Sequence, residues 1–96
     1  MKLLRVIKSP KAGKKWRAIF QTETGREKHT DFGAAGMEDF TQHHDLQRRE
    51  NYLSRHKARE NWNDPSTAAA LSRWLLWGDS PSFQKNLSHY KSKFHL

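Results

Sequence analysis

The first third of the chain alternates apolar and polar residues with the period of two that β-strands require. In the segment WRAIFQT, Trp16, Ala18 and Phe20 fall on one face, and the residues between them fall on the other. The branched run LLRVI precedes this segment and KHTDF follows it, and turn residues separate the three in SPKAGKK and ETGRE. This pattern predicts a three-stranded antiparallel meander over roughly residues 2–8, 15–22 and 27–32.

The segment GAAGMED ends the alternation and predicts a tight connection, because Gly33 and Gly36 can adopt a positive φ. We expect a valine at either position to damage folding. Asp39 followed by Gln42 has the spacing of a capping box, with Asp in place of Ser or Thr. A helix is therefore predicted from about 40 to 60.

Boundary residues predict two further helices. Asp64 is a suitable N-cap for a middle helix that has Pro65 at its first position and Gly78 directly after its end. Ser80 is a suitable N-cap for a last helix from 81 to about 94.

Together these elements predict an α+β fold, in which a small N-terminal three-stranded antiparallel sheet is followed by three α-helices. A single domain is expected over residues 1–96, with the β-meander at 1–33 and the helical part at 38–96. Only 34% of the residues are hydrophobic, although four of them are Trp. We therefore expect a thin core that gains stability from a partner.

The predicted middle helix is apolar around most of its circumference, because AAALSRWLLW is interrupted only by Ser72 and Arg73. Such a helix is either central to the fold or covered by another chain. Trp side chains are common at the centres of protein interfaces. Trp74 and Trp77 are therefore candidate interface residues, with burial in the core as the alternative.

The net charge of +8 is unevenly distributed along the chain. Residues 1–33 carry nine Lys or Arg against three acidic residues, whereas residues 34–64 carry five against six. A basic excess favours an anionic partner: an acidic protein surface, a nucleic acid or anionic lipid headgroups.

The strongest local signal for anion contact is the turn SPKAGKKWR between the first two predicted strands. Its candidate contact residues are Lys8, Lys11, Lys14, Lys15, Trp16 and Arg17. Cations beside an aromatic ring suit phosphate contacts combined with base stacking. The alternative is a hairpin loop that is merely solvated.

A second basic segment lies on the first predicted helix, where helical spacing brings several residues onto one face. They are Arg48, Tyr52, Arg55 and Arg59. This stripe either holds anionic groups of a partner or pairs with the six acidic residues of the same part of the chain.

Catalytic and metal-binding patterns are weak. The tripeptide Asp31-Phe32-Gly33 is similar to the metal-binding tripeptide of protein kinases, but the chain has neither GxGxxG nor HRD. Its six His lack HxxxH spacing and it has no Cys, which disfavours a metal site. We therefore predict no enzymatic activity, no catalytic residues, no metal, no cofactor and no small-molecule substrate.

Three segments carry a resemblance to a known family: KHTDFGA, RRENYLSRHK and NWNDPSTAAALSRWLLWG. Over residues 28–78 the chain resembles a small family of uncharacterised basic proteins of large nucleocytoplasmic DNA viruses. The resemblance implies no activity and no catalytic residues. It implies a context, which is a large viral particle and its assembly site in the host cytoplasm.

In that context we expect a non-enzymatic structural or accessory protein of the virion, as a minor capsid or capsid-associated component. It would bridge larger capsid proteins through the basic hairpin and the Trp-rich helices. The alternative is a sequence-independent nucleic-acid-binding protein, whose affinity would fall steeply with salt.

Overall fold

The computed structural model describes residues 1–96 and has a three-stranded antiparallel sheet at its N-terminus. Strands β1, β2 and β3 span Lys2–Lys8, Lys14–Gln21 and Glu27–Ala34, and they lie side by side in that order. The predicted meander is confirmed, and each boundary lies within two residues of its expected place. Helices follow the sheet, so the predicted α+β class is confirmed as well.

One face of the sheet forms a wall of the core. Ala18, Phe20 and Phe32 are fully buried there, and Trp16 lies opposite Phe32 in the β2–β3 pairing. The alternation predicted for β2 therefore holds for its core side. Ile19 is also buried, although it lies on the opposite face of the sheet.

The helical part contains four α-helices and one π-helical segment. They are α1 at Phe40–His43, α2 at Leu46–Lys57, α3 at Ala68–Leu71, the π-helical segment at Ser72–Leu76, and α4 at Phe83–Phe94. The π-helical segment directly continues α3, and the two form the middle helix. None of these helices has the length and apolar character needed to cross a lipid bilayer.

The first predicted helix is divided into α1 and α2. The Asp39 side chain caps α1, and the Gln42 side chain accepts a hydrogen bond from the Asp39 N–H, so the predicted capping box is confirmed. His44 then adopts a φ of 54° and ends α1. Asp45 accepts hydrogen bonds from two backbone N–H groups of α2, so a second N-cap starts a new helix here.

The middle helix begins three residues later than predicted. Its N-cap is Thr67 rather than Asp64, and Pro65 stays in the preceding loop. A similar shift occurs at α4, where Ser82 rather than Ser80 is the N-cap.

The loop before the middle helix is held by neighbouring elements. Lys28 Nζ donates to Ser66 Oγ at 2.8 Å, and Thr30 Oγ1 donates to the Ser66 carbonyl at 2.9 Å. The buried Tyr90 hydroxyl donates to the Pro65 carbonyl. These bonds engage carbonyls that a helix starting at Pro65 would need for its own first turns, which explains the late start.

The middle helix lies at the centre of a small core, because only 16 of the 96 residues are buried. Leu71 and Leu75 are fully buried, and Leu76 and Trp77 are almost so. The core interpretation of this apolar helix is therefore the correct one for most of its length.

The chain turns from the sheet toward the helices at two glycines with positive φ, as predicted. Gly33 has a φ of 79° and Gly36 a φ of 84°. A Cβ atom at Gly33 would lie 2.9 Å from Leu76 Cδ1 and 3.2 Å from Lys15 Cβ, whereas one at Gly36 would meet nothing within 4 Å. The middle helix packs closely against the sheet at Gly33, so its substitution carries an additional steric cost.

We expect Gly33→Ala to be more destabilising than Gly36→Ala. The loss in the free energy of unfolding should be about 2–3 kcal/mol for Gly33→Ala, from the positive φ and the steric clash, and about 1 kcal/mol for Gly36→Ala, from the φ alone. Urea denaturation of both variants and the parent measures the difference. Equal losses would contradict the close approach of Leu76.

Candidate functional site

A cleft lies between the sheet, α2 and the middle helix, and we call it the sheet–helix cleft. Its volume is about 590 Å³. Its walls are the adjacent ends of β2 and β3 at Lys14 and Ala34, the face of α2 that carries Tyr52, and the start of the middle helix at Ala68. This is the most extensive concave surface of the chain and is the candidate binding site.

The two predicted basic segments meet at this cleft. Lys14 and Lys15 line it from the β1–β2 hairpin, and Arg48 and Arg55 line it from α2, with Tyr52 between them. The sequence predicts each segment as an anion contact but not their proximity, since they are distant along the chain. Folding therefore brings the basic hairpin and the basic face of α2 together at one candidate site.

Arg59 does not belong to this site. It is exposed in a turn beyond Lys57, the last residue of α2, so the helical spacing that placed it on the stripe no longer applies. The predicted stripe is correct for its first three residues and ends with the helix.

Lys15 is engaged inside the protein. Its Nζ donates to Asp39 Oδ2 and to Gln42 Oε1, both at 2.7 Å. The side chains of Lys15 and Asp39 are only 15% and 5% exposed. Lys15 therefore fastens β2 to the N-cap of α1, and this corrects its assignment as a free anion contact.

Two further carboxylates of the cleft are also paired. Glu38 accepts from Arg48 at 3.4 Å on the exposed rim, which is a weak contact in water. Glu60 lies 2.7 Å from the His56 ring nitrogen and accepts from Trp62 Nε1 at 2.9 Å.

Lys14 and Arg55 are the two cations of the cleft that have no carboxylate within 4.0 Å. Both are exposed, and they enter the cleft from opposite walls. They carry its uncompensated positive charge and are the best placed to contact an anionic group from outside.

Aromatic stacking fixes α2 at the edge of the cleft. The Tyr52 ring lies 4.2 Å from the Trp77 ring with an interplanar angle of 3°, and 4.0 Å from the His56 ring. Burial, and secondarily the charge of Glu60, raises the pKa of Tyr52 to about 12. Its hydroxyl is therefore neutral at physiological pH and contributes a hydrogen-bonding group to the cleft without a charge.

Trp77 is only 9% exposed and belongs to the core, against the prediction of an exposed interface there, although a small part of it borders the sheet–helix cleft. Trp74 is half-buried, and its Nε1 donates to the Trp62 carbonyl at 2.9 Å. Arg73 and Lys93 lie over the Trp74 ring at 4.2 and 4.8 Å. The contacts of Trp74 are thus largely supplied by the chain itself.

Arg17 is a structural residue rather than a free contact. Its Nε and Nη2 donate to the two carboxylate oxygens of Asp31, directly across the β2–β3 pairing, at 2.9 and 3.1 Å. Ser9 Oγ adds a third hydrogen bond at 2.6 Å. Hydrogen bonds from Arg17, then from Ser9, lower the pKa of Asp31 to about 2. The carboxylate of the kinase-like tripeptide is therefore occupied by a cross-strand pair.

The remaining hairpin residues differ in accessibility. The Trp16 ring is half-buried and packs against Phe83 at 5.0 Å, so it is not presented for base stacking. Lys8, Lys11 and Lys14 are exposed, as an anion contact requires.

Two arginines that the sequence did not single out hold the end of the middle helix. Arg49 Nε donates to the Gly78 carbonyl at 2.8 Å, and Arg73 Nη1 donates to the Trp77 carbonyl at 3.0 Å. Burial lowers the pKa of Arg73. Cations at these free carbonyls complement the negative end of the helix dipole. No sequence pattern marks the role of Arg49, because it depends on a tertiary contact. Arg73 bonds to a carbonyl four residues later, and a basic residue in the last turn is a signal that the sequence does contain.

The fold and site define a small α+β protein with a cleft that carries two unpaired cations. The chain belongs to a family of unknown function, DUF5754, whose model matches residues 4–56. The matched range includes nearly all of the sheet, α1 and nearly all of α2, and therefore Lys14 and Arg55, the unpaired cations of the cleft. No curated protein and no solved structure matches the chain.

The Arg17–Asp31 pair should make stability depend on acid. Because the pKa of Asp31 is lowered from 3.8 to about 2, the pair stabilises the protein fully above pH 4 and is lost as the pH falls through 2. Asp31→Asn should reduce stability at neutral pH and flatten the dependence between about pH 4 and about pH 2. Urea midpoints at each pH measure this. Glu50→Gln, at an exposed side chain with no cationic group within 4.0 Å, is the control that should leave the profile unchanged.

The stack of Tyr52 on Trp77 should control the local stability of α2. Tyr52→Leu should lower the opening free energy of α2 by about 1 kcal/mol or more, whereas Tyr52→Phe, which keeps the ring, should lower it by less than about 0.5 kcal/mol. Hydrogen exchange of the α2 amides measures both. Equal exchange in the two variants would show that the ring contact does not hold the helix.

Proposed function

We propose that this protein is a non-enzymatic accessory component of a large DNA virus particle, as a minor capsid or capsid-associated protein. It binds an acidic surface of a larger capsid protein through the sheet–helix cleft and the adjoining hairpin. It is located in the virion and, during assembly, in the host cytoplasm. The viral context rests on the resemblance over residues 28–78, and the binding mode rests on the convergence of two basic segments at one cleft.

The chemistry of the cleft supports a role in binding. Its polar side chains serve the fold, since Lys15 and Asp39 fasten the sheet to α1, while His56 and Glu60 bond to each other. The exposed cations of the cleft that have no carboxylate partner are Lys14 and Arg55. Such an arrangement attracts and orients carboxylates of a partner, which favours recognition and rapid association.

The shape of the cleft favours an acidic protein over a nucleic acid. A volume of about 590 Å³ accepts one or two inserted side chains, whereas a nucleic-acid duplex would contact only the rim. Binding of single strands commonly uses exposed aromatic rings, but Trp16 packs on Phe83 and Trp77 is buried. The predicted bridging role is therefore best retained for the basic hairpin and α2, and not for Trp77.

Sequence-independent nucleic-acid binding is the second candidate. It is favoured by Lys8, Lys11 and Lys14, which are exposed along the β1–β2 hairpin and have no carboxylate within 4.0 Å. Such cations contact phosphates without reading bases, and their affinity falls steeply with salt.

Charge reversal at the cleft tests the proposal. We expect Lys14→Glu/Arg55→Glu to weaken binding of a poly-glutamate probe roughly ten-fold or more, because both cations contact the same ligand. The control variant Lys85→Glu/Lys91→Glu makes the same charge change at exposed positions of α4 and should weaken binding far less. Equal losses would mean that net charge alone drives the interaction. A 20-base-pair duplex whose affinity depends on Lys8 and Lys11, and not on Arg55, would favour the second candidate.

Location is tested separately in purified particles. Zero-length carbodiimide cross-linking should join Lys14 to an Asp or Glu of a larger capsid protein, because this chemistry couples only groups in direct contact. Absence of the chain from purified particles would refute the virion assignment. It would not affect the result of the charge-reversal experiment at the cleft.

A further inference from the structure

Strand β1 is an edge strand with one free side. It pairs with β2, and no strand pairs with its other side. Three of the five exposed large hydrophobic residues lie on or beside this strand: Met1, Leu4 and Ile7, each 39% exposed. An open edge with apolar side chains is a template for a further strand.

The hydrogen-bonding phase of β1 identifies the groups that are available. The Ser9 N–H donates to the Lys15 carbonyl at 3.1 Å, which fixes Ser9 as a residue bonded to β2. Backbone hydrogen bonding alternates along an antiparallel strand. The N–H and C=O groups of Ile7 and Arg5 therefore also point to β2, whereas those of Val6 and Lys8 point away from it. The register shift between Leu3 and Arg5 limits this regular free edge to the stretch Arg5–Lys8.

The charges on β1 select the partner. Lys2, Arg5 and Lys8 have no carboxylate within 4.0 Å, and the strand contains no acidic residue. A second copy of β1 would bring three more cations to the neighbouring strand position, so self-pairing is disfavoured. Arg5 and Ile7 share one face of the sheet, and Val6 and Lys8 share the other. An extended segment that alternates acidic and apolar residues would place its carboxylates beside Arg5 on the first face and its apolar side chains beside Val6 on the second.

We propose that the free edge of β1 over Arg5–Lys8 is a docking site for an extended acidic segment of a larger protein, which adds to the sheet as a fourth strand. This surface is distinct from the sheet–helix cleft and does not depend on it. If both surfaces act, they supply the two contacts that a bridging component needs.

The test uses two peptides of equal charge, Ac-EVEVEVE-NH₂ and Ac-EVEPEVE-NH₂. The first can form a strand, whereas the central proline of the second removes a ladder hydrogen bond. We expect the first peptide to bind roughly ten-fold or more tightly than the second and to increase the hydrogen-exchange protection of the Val6 and Lys8 amides. Equal affinity for the two peptides, or protection elsewhere with none at Val6 and Lys8, would overturn the proposal.

A matched pair of variants separates backbone pairing from charge. Lys8→Ala removes one cation, and Lys8→Pro also removes the outward N–H while leaving the bonds to β2 in place. We expect Lys8→Pro to bind the first peptide several-fold more weakly than Lys8→Ala. Equal binding by two folded variants would overturn strand addition. If Lys8→Pro does not fold, amide protection in the parent protein decides the question.

A cleft variant distinguishes this proposal from the proposed function. Lys14→Glu/Arg55→Glu should retain the amide protection at Val6 and Lys8, even where it loses poly-glutamate binding. Loss of that protection in the cleft variant would show that the two surfaces are one, and would overturn the independence of the β1 site.

Discussion

The position of α2 depends on the stack between Tyr52 and Trp77. None of the residues of α2 is buried, so hydrophobic burial alone does not hold this helix on the core. The parallel rings and the bonds from Arg49 to the end of the middle helix supply the attachment. Because α2 forms one wall of the sheet–helix cleft, the candidate site exists only while these contacts hold.

The basic residues of this chain divide into two groups with different roles. Lys15, Arg17, Arg49 and Arg73 are bonded to carboxylates or carbonyls of the same chain. The first three join different elements, whereas Arg73 bonds to the Trp77 carbonyl at the end of its own helix. With these cations satisfied internally, most of the remaining positive charge lies on exposed side chains of the hairpin, β1, α2 and α4. This division explains how a chain with a net charge of +8 keeps a compact fold while presenting cations to a partner.

Local sequence signals predicted the elements well where the chemistry is local. The alternation around Trp16 and the capping box at Asp39 require only neighbouring residues, and both are present. Prediction failed where a group that is distant in the sequence competed for the backbone carbonyls of a helix start. Pro65 could begin a helix by its own geometry, but Tyr90 and the residues of β3 engage the carbonyls of the preceding loop. The helix break at His44 was not predicted, because an Asp at position 45 can either cap a new helix or lie inside a continuous one.

The sequence by itself determined the α+β class, the sheet, the basic character and the residue types of the candidate contacts, because these follow from periodicity and composition. Only the tertiary structure decided which cations are free. Lys14 and Lys15 are adjacent and chemically equivalent in the sequence, and both border the cleft, yet Lys15 is bound to Asp39 whereas Lys14 has no carboxylate partner. Successive side chains of a strand point to different surroundings, so the choice depends on which groups lie across the fold. Tertiary contacts likewise decided that Trp77 lies in the core and that Arg55 and the hairpin border the same cleft.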